Sequence, residues 1–195
     1  HAANINLVTP THYAPSIAVA LNELRDSGAL NIPVVYNTSS FDSLEALRLM
    51  KGAVDVYLAD FKYASALEAG KLSHASRYPE MVAQVPVWEE DDEGLLLKGV
   101  IVRHLVLPGR VEESKHALAV LHECFGDNVR LSIMSQYTPL ASGLERYGLA
   151  GRVTEGEYEE VLDYADSLGI EDYFWQQGDA AQESFVPDFN GEGVR

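Results

Sequence analysis

Apolar and polar positions along the chain alternate between two periods. Short runs rich in Val, Ile and Leu are followed by longer stretches whose apolar residues recur every three or four positions. The first run, over residues 4–9, is halted by Pro10. A helical stretch over 15–27 follows, with Ile17, Ala20, Leu21 and Leu24 on one face and Gly28 at its end. The unit then repeats. A strand over 32–37 leads through Thr38-Ser-Ser-Phe-Asp42, read as a helix cap, into a helix carrying Leu44, Leu47 and Met50, which Gly52 stops. A third strand over 54–60 precedes a helical stretch that the pattern carries to about residue 84, and the acidic segment 89–93 reads as a polar loop. A fourth strand covers 99–107, a helix 112–125 and a fifth strand 129–136. The helix over 154–168 opens with Thr154 followed three residues later by Glu157, a capping box. A short sixth strand spans 172–176, and residues 178–195 read as an irregular tail.

Strands separated by helix-length segments predict an α/β fold with a parallel sheet, either open or curled into a barrel. No long linker or second core interrupts residues 1–195, so a single domain is expected. In either form of the sheet a ligand site lies beyond the carboxyl ends of the strands. The polar groups fall at that end: Thr9, Thr11 and His12 after the first strand, Asn37 and Ser39 after the second, Asp60 and Lys62 after the third, Arg103 and His104 in the fourth, Gln136 and Tyr137 after the fifth.

Composition narrows the partners. Thirty acidic against 14 basic side chains give a formal net charge of -16, which repels nucleic acid and anionic membranes. No apolar run approaches the ~20 residues of a membrane-spanning helix. Cys124 is the single cysteine, so no internal disulfide or thiolate metal cage is expected and a reducing cytoplasm is the natural setting. The chain opens without a secretory pattern or an initiator Met, as a processed product or an excised fragment would.

Asp60 and Lys62 alternate onto the face shared with Val56 and Leu58, about 7 Å apart along the strand. Arg103 interrupts an apolar strand, where an unpaired charge costs several kcal/mol, so an anionic group should meet it. That group is either a ligand or Asp60 in a structural ion pair. His12 and His104 read as hydrogen-bonded structural groups and not as metal ligands, His116 and His122 as surface residues, Cys124 as a small apolar helix residue, and Asn37 to Ser40 as either a cap or ligand contacts. No phosphate loop, dinucleotide fingerprint or serine elbow is present.

Four runs carry a resemblance to a known family: Asn-Ile-Asn-Leu-Val-Thr-Pro-Thr-His-Tyr from residue 4, Pro-Val-Val-Tyr-Asn-Thr-Ser from 33, Val-Asp-Val-Tyr-Leu-Ala-Asp-Phe-Lys-Tyr from 54, and Val-Arg-His-Leu-Val-Leu-Pro-Gly from 102. In their order they resemble radical S-adenosylmethionine (radical SAM) enzymes of the pyruvate formate-lyase activating type. The resemblance implies a partial (β/α) barrel whose first βα unit, absent here, holds a four-iron, four-sulfur (4Fe-4S) cluster through Cys-x3-Cys-x2-Cys. It implies an oxidoreductase that places a glycyl radical on a partner enzyme or other protein substrate. Thr9 to Thr11 stand where the family's backbone receives the amino group of S-adenosylmethionine. Lys62 would bond its carboxylate or ribose, Asp60 would lie beside it or help hold a monovalent cation, Arg103 would face it, and Gln136 or Tyr137 would lie near its adenine.

Without the cluster cysteines this chain is expected to be inactive alone. The missing unit would expose the edge of the first strand to dimerisation. Two rival functions stand beside this one: an aldolase-like lyase forming a Schiff base on Lys62, and a non-catalytic interaction domain.

Overall fold

A computed structural model describes residues 2–75, 89–90, 96–139 and 142–176. Seven strands form the sheet: β1 (Ile5–Val8), β2 (Val34–Thr38), β3 (Val56–Asp60), β4 (Glu89–Glu90), β5 (Leu96–Leu105), β6 (Arg130–Met134) and β7 (Tyr173–Phe174). Five α-helices join them: α1 (Ala14–Asp26), α2 (Leu44–Met50), α3 (Ala66–Ser73), α4 (Val111–Phe125) and α5 (Glu155–Ser167). Six strands run parallel in the order β1-β2-β3-β5-β6-β7, and β4 alone pairs antiparallel, with β5. Among the described residues β1 and β7 do not meet, so the sheet is open. The expected α/β fold with parallel strands is present, and its sequential order is compatible with part of a (β/α) barrel.

Side-chain parity shows how the layers divide. Val34 and Tyr36 of β2, Val100 and Val102 of β5, and Leu131 and Ile133 of β6 point into two apolar clusters shared with the helices. Three helices meet them with a stripe at helical spacing: Ala14, Ala18 and Leu21 of α1, Ala117, Leu118 and Leu121 of α4, and Tyr158, Val161 and Ala165 of α5. Tyr57 and Ala59 of β3 also pack on this side. The alternate residues, among them Asn37, Leu58, Asp60, Ile101 and Arg103, therefore point to the other face. Val35 and Val56 are buried there, paired across β2 and β3, and belong to neither helix-side cluster.

Several boundaries differ from the sequence expectation. The third helix stops at Ser73 instead of running to about 84, because His74 adopts a left-handed φ of 53° and the Ala75 N–H turns back to the Ala69 carbonyl. Glu89–Glu90 is a short strand instead of part of a loop, since β5 begins at Leu96 and offers it a pairing edge. The cap of α2 is Ser43, whose hydroxyl accepts from the Ala46 N–H at 3.1 Å, and not Thr38 to Asp42. The capping box on α5 is formed as expected. The expected tail 178–195 lies outside the described residues. No helix among the described residues is long and apolar enough to cross a membrane.

Candidate functional site at the carboxyl ends of β2, β3 and β5

The face turned away from the described helices carries a charged cluster at the C-terminal ends of three neighbouring strands. Register sets Asp60 of β3 directly beside Arg103 of β5, and Asn37 of β2 beside Leu58 of β3. The Arg103 Nε donates to Asp60 Oδ1 at 2.9 Å and Nη2 lies 2.6 Å from the same oxygen. Nη2 also donates to Asn37 Oδ1 at 2.7 Å, reaching across the intervening strand. Just past the end of β3, Lys62 Nζ stands 3.5 Å from Asp60 Oδ2. Among the described contacts one carboxylate thus lies between two cations. Arg103 is 25% exposed and Asp60 20%, enough burial for the ion pair to be stronger than a surface pair. The anionic partner that Arg103 requires is present in the protein itself.

Four of the nine candidate residues are brought together here: Asn37, Asp60, Lys62 and Arg103. Thr9 and His12 are exposed, and Thr11 is half-buried, in the turn after β1. Thr9 is tied to the cluster through its backbone, donating to the Asn37 carbonyl at 2.8 Å from a left-handed φ of 49°. Ser39 is half-buried in the β2–α2 loop. Gln136 lies one strand further on, past β6. Its side chain contacts the Met134 sulfur at 3.6 Å and accepts from Gln176 Nε2 at 3.3 Å.

His104 takes no part in the mouth. It points to the helix side, 2% exposed, with Nδ1 donating to the Phe61 carbonyl at 2.7 Å and Nε2 accepting from the Ser114 hydroxyl at 2.9 Å. A carbonyl can only accept, so the Nδ1–H tautomer is fixed. Burial holds its pKa below the ordinary 6.5, against the Phe61 hydrogen bond and the nearby Glu113 charge. The expectation of a structural histidine is met in its geometry. Cys124, expected as an apolar helix residue, is instead exposed on the last turn of α4, which falls at the opposite end of the sheet. His116 is exposed and His122 half-buried on the same helix.

A second polar group went unread in the sequence. Asp42, 2% exposed, accepts from the Tyr36 hydroxyl at 3.0 Å through Oδ1 and from the Thr38 hydroxyl through Oδ2. Its position inside a Ser-Ser-Phe-Asp-Ser run looked like capping chemistry, which masked it. Burial, and then the Asp42 charge, push the Tyr36 phenol far above its ordinary pKa, while a hydrogen bond with the Thr11 side chain works the other way. The same two causes push Tyr57 up to about 12.

A cleft of about 530 Å³ opens at the opposite end of the sheet, between the C-terminal ends of α4 and α5. Its apolar wall includes Leu121, Val129 and Ile170, and its basic residue Arg130 is already paired with Asp172. The carboxyl-end cluster has more convergent chemistry and stands where open α/β sheets bind ligands. No group of three or more His, Cys, Asp or Glu among the described residues could share a metal ion.

Comparison with known proteins adds extent but no activity. No family model matches the chain. An uncharacterized protein of Methanocaldococcus jannaschii is 30% identical over 173 residues, which cover 88% of this chain and 48% of the relative. The chain spans about half the length of the curated relative it matches.

Proposed function

We propose that this chain is the S-adenosylmethionine-facing part of a radical S-adenosylmethionine enzyme of the pyruvate formate-lyase activating type, working in the cytoplasm on a glycyl-radical enzyme or similar protein partner. On this reading the open parallel sheet is a partial (β/α) barrel and β1 corresponds to the second strand of that family's barrel. The observation that carries the reading is the convergence of Asn37, Asp60, Lys62 and Arg103 on the face turned away from the described helices.

The residues fit the ligand's charges. S-adenosylmethionine presents a carboxylate, an ammonium group and a sulfonium. Among the described residues no acceptor meets Nη1 of Arg103, so that edge suits a carboxylate, with Lys62 beside it. Asp60 lies within reach of a cation on the same ligand. The residues do not fit a four-iron, four-sulfur cluster. Such a cluster requires several thiolates, and the one cysteine lies at the far end of the sheet. The low-potential electron that sulfonium cleavage needs would therefore come from a cluster held by cysteines that this chain does not contain.

The rim of the mouth supports a macromolecular partner. Val8, Tyr13, Phe41, Leu67, Phe174 and Trp175 are each more than half exposed, and each lies at a strand's carboxyl end or in the segment just after it. Exposed aromatic side chains such as Tyr13, Phe41, Phe174 and Trp175 are the residue type enriched at protein-docking surfaces. A Schiff-base lyase using Lys62 has less behind it. Such a lysine works from a secluded apolar site, whereas Lys62 is 43% exposed and faces a carboxylate. Borohydride trapping with a carbonyl substrate distinguishes the two.

The test uses two proteins. Anaerobic iron and sulfide treatment of the 195-residue chain should leave it colourless, and a stoichiometric brown cluster would refute the assignment. A polypeptide that joins this chain to a Cys-x3-Cys-x2-Cys loop should, once reconstituted, bind S-adenosylmethionine in calorimetry. Arg103→Ala should weaken that binding about tenfold or more, the loss of one charge-assisted pair. Equal affinity in the variant would remove the basis of the proposal, and no binding by either protein would favour a non-catalytic interaction domain.

A further inference from the structure

Asn37 is flanked in β2 by Tyr36 and Thr38, whose side chains point to the opposite face of the sheet. Both end on Asp42. The Thr38 oxygen accepts the Ser40 N–H at 3.0 Å, which leaves its proton for Asp42 Oδ2. The Tyr36 hydroxyl gives its proton to Oδ1, and the Thr11 side chain reaches the same phenol from the β1–α1 turn. Every hydrogen bond in the group therefore runs toward one buried carboxylate. Among the described residues the partners of Asp42 are these two hydroxyls and no cation.

A carboxylate buried without a counter-ion costs several kcal/mol if its hydrogen bonds are lost, so this arrangement holds its loop firmly. The loop carries a second sign of constraint, since Ser40 is 9% exposed with a left-handed φ of 61° and a buried hydroxyl that lacks a partner. On the other face Asn37 is held, among the described residues, by its own backbone and by Arg103. Its carbonyl accepts from Thr9, and its amide oxygen accepts from the guanidinium.

We propose that Asp42 is a positioning residue: by clamping Tyr36 and Thr38 from the helix side it fixes the end of β2, and through Asn37 it sets the orientation of the Arg103 guanidinium on the open face. The assignment holds whichever ligand the mouth accepts. Asp42→Asn is near-isosteric but turns one acceptor into a donor, so one of the two hydroxyls can no longer donate to residue 42 and its buried proton must turn elsewhere. The end of β2 then loosens while the sheet keeps its register.

The measurement needs no ligand. In the 195-residue chain, nitrogen-edited NMR follows the Arg103 Nε–H, whose hydrogen bond to Asp60 should slow its exchange with solvent. Asp42→Asn should speed its exchange about tenfold, and Thr38→Val and Tyr36→Phe should each speed it a few-fold. Ser43→Ala is the control: it removes the cap of α2, in the same loop, without touching either partner of Asp42. That variant should lose about 1 kcal/mol of stability yet leave the Arg103 signal as in the wild type. If Asp42→Asn fails to fold, the two hydroxyl variants carry the test. The proposal is overturned if exchange in the folded variants stays within about twofold of wild type, or if Ser43→Ala accelerates it equally.

Discussion

Whether a polar side chain inside a sheet is tolerated depends on whether each of its atoms finds a partner, and His104 and Arg103 satisfy that condition differently. His104 is neutral and saturated, so protonation would force a charge into an apolar layer. Burial keeps its pKa below 6.5 in the folded protein, whereas the unfolded chain titrates near that ordinary value. As pH falls through 6.5 the unfolded state binds the proton first, so stability present above that pH is lost below it. Wild type should therefore lose urea resistance between about pH 7.5 and about pH 5.5, and His104→Asn should fall less steeply from a lower starting point. Equal slopes would show that another group causes the acid sensitivity. Arg103 stood out in the sequence as a charge needing an anion, and Asp60 was named as one answer. The contact with Asn37 was not readable, because it skips a strand and depends on side-chain reach across β3.

Element boundaries followed local chemistry wherever one residue type dominated. Thr154 and Glu157 form both halves of the capping box on α5, and Glu157 also accepts the Gly109 N–H at 2.7 Å, tying the helix start to the β5–α4 loop. Hydrogen bonds from the Thr154 backbone, followed by those from Gly109, hold the Glu157 carboxyl below its ordinary range despite partial burial. Thr154→Ala should cost about 1 kcal/mol in denaturant unfolding. An unchanged midpoint would mean that the bonds from the residue 154 and Gly109 backbone N–H groups to Glu157 suffice to fix the terminus. The cap of α2 was misread because five of the six residues from Thr38 to Ser43, all but Phe41, have capping side chains, and propensity cannot rank them. The end of α3 was missed for another reason: His74 breaks the helix by taking a left-handed conformation that its residue type does not announce. β4 depends on the length of β5, a long-range pairing that no local period encodes.

For the whole molecule, the alternation of β and α segments was enough to give the parallel sheet and the end of it where Asn37, Asp60, Lys62 and Arg103 gather. Which face the helices leave open was not, because that follows from packing. The open edge also bears on assembly. Among the described strands β1 has a neighbour on one side only, and its last residue, Val8, is 66% exposed. Such an edge favours pairing between copies. Light scattering across a concentration series should show self-association, and Val8→Lys should suppress it. A single mass at all concentrations would count against the pairing.

The linear order of the strands has one more consequence. Apart from the pairing of β4 with β5, each parallel strand described bonds only to its neighbours in the order β1-β2-β3-β5-β6-β7, so opening fluctuations begin at β1 and β7 and must work inward. β3 and β5 are the midline of that array, two strands from either end. Asp60 and Arg103 therefore ride on the last part of the sheet to come apart, and the grip between them can outlast fraying of both flanks.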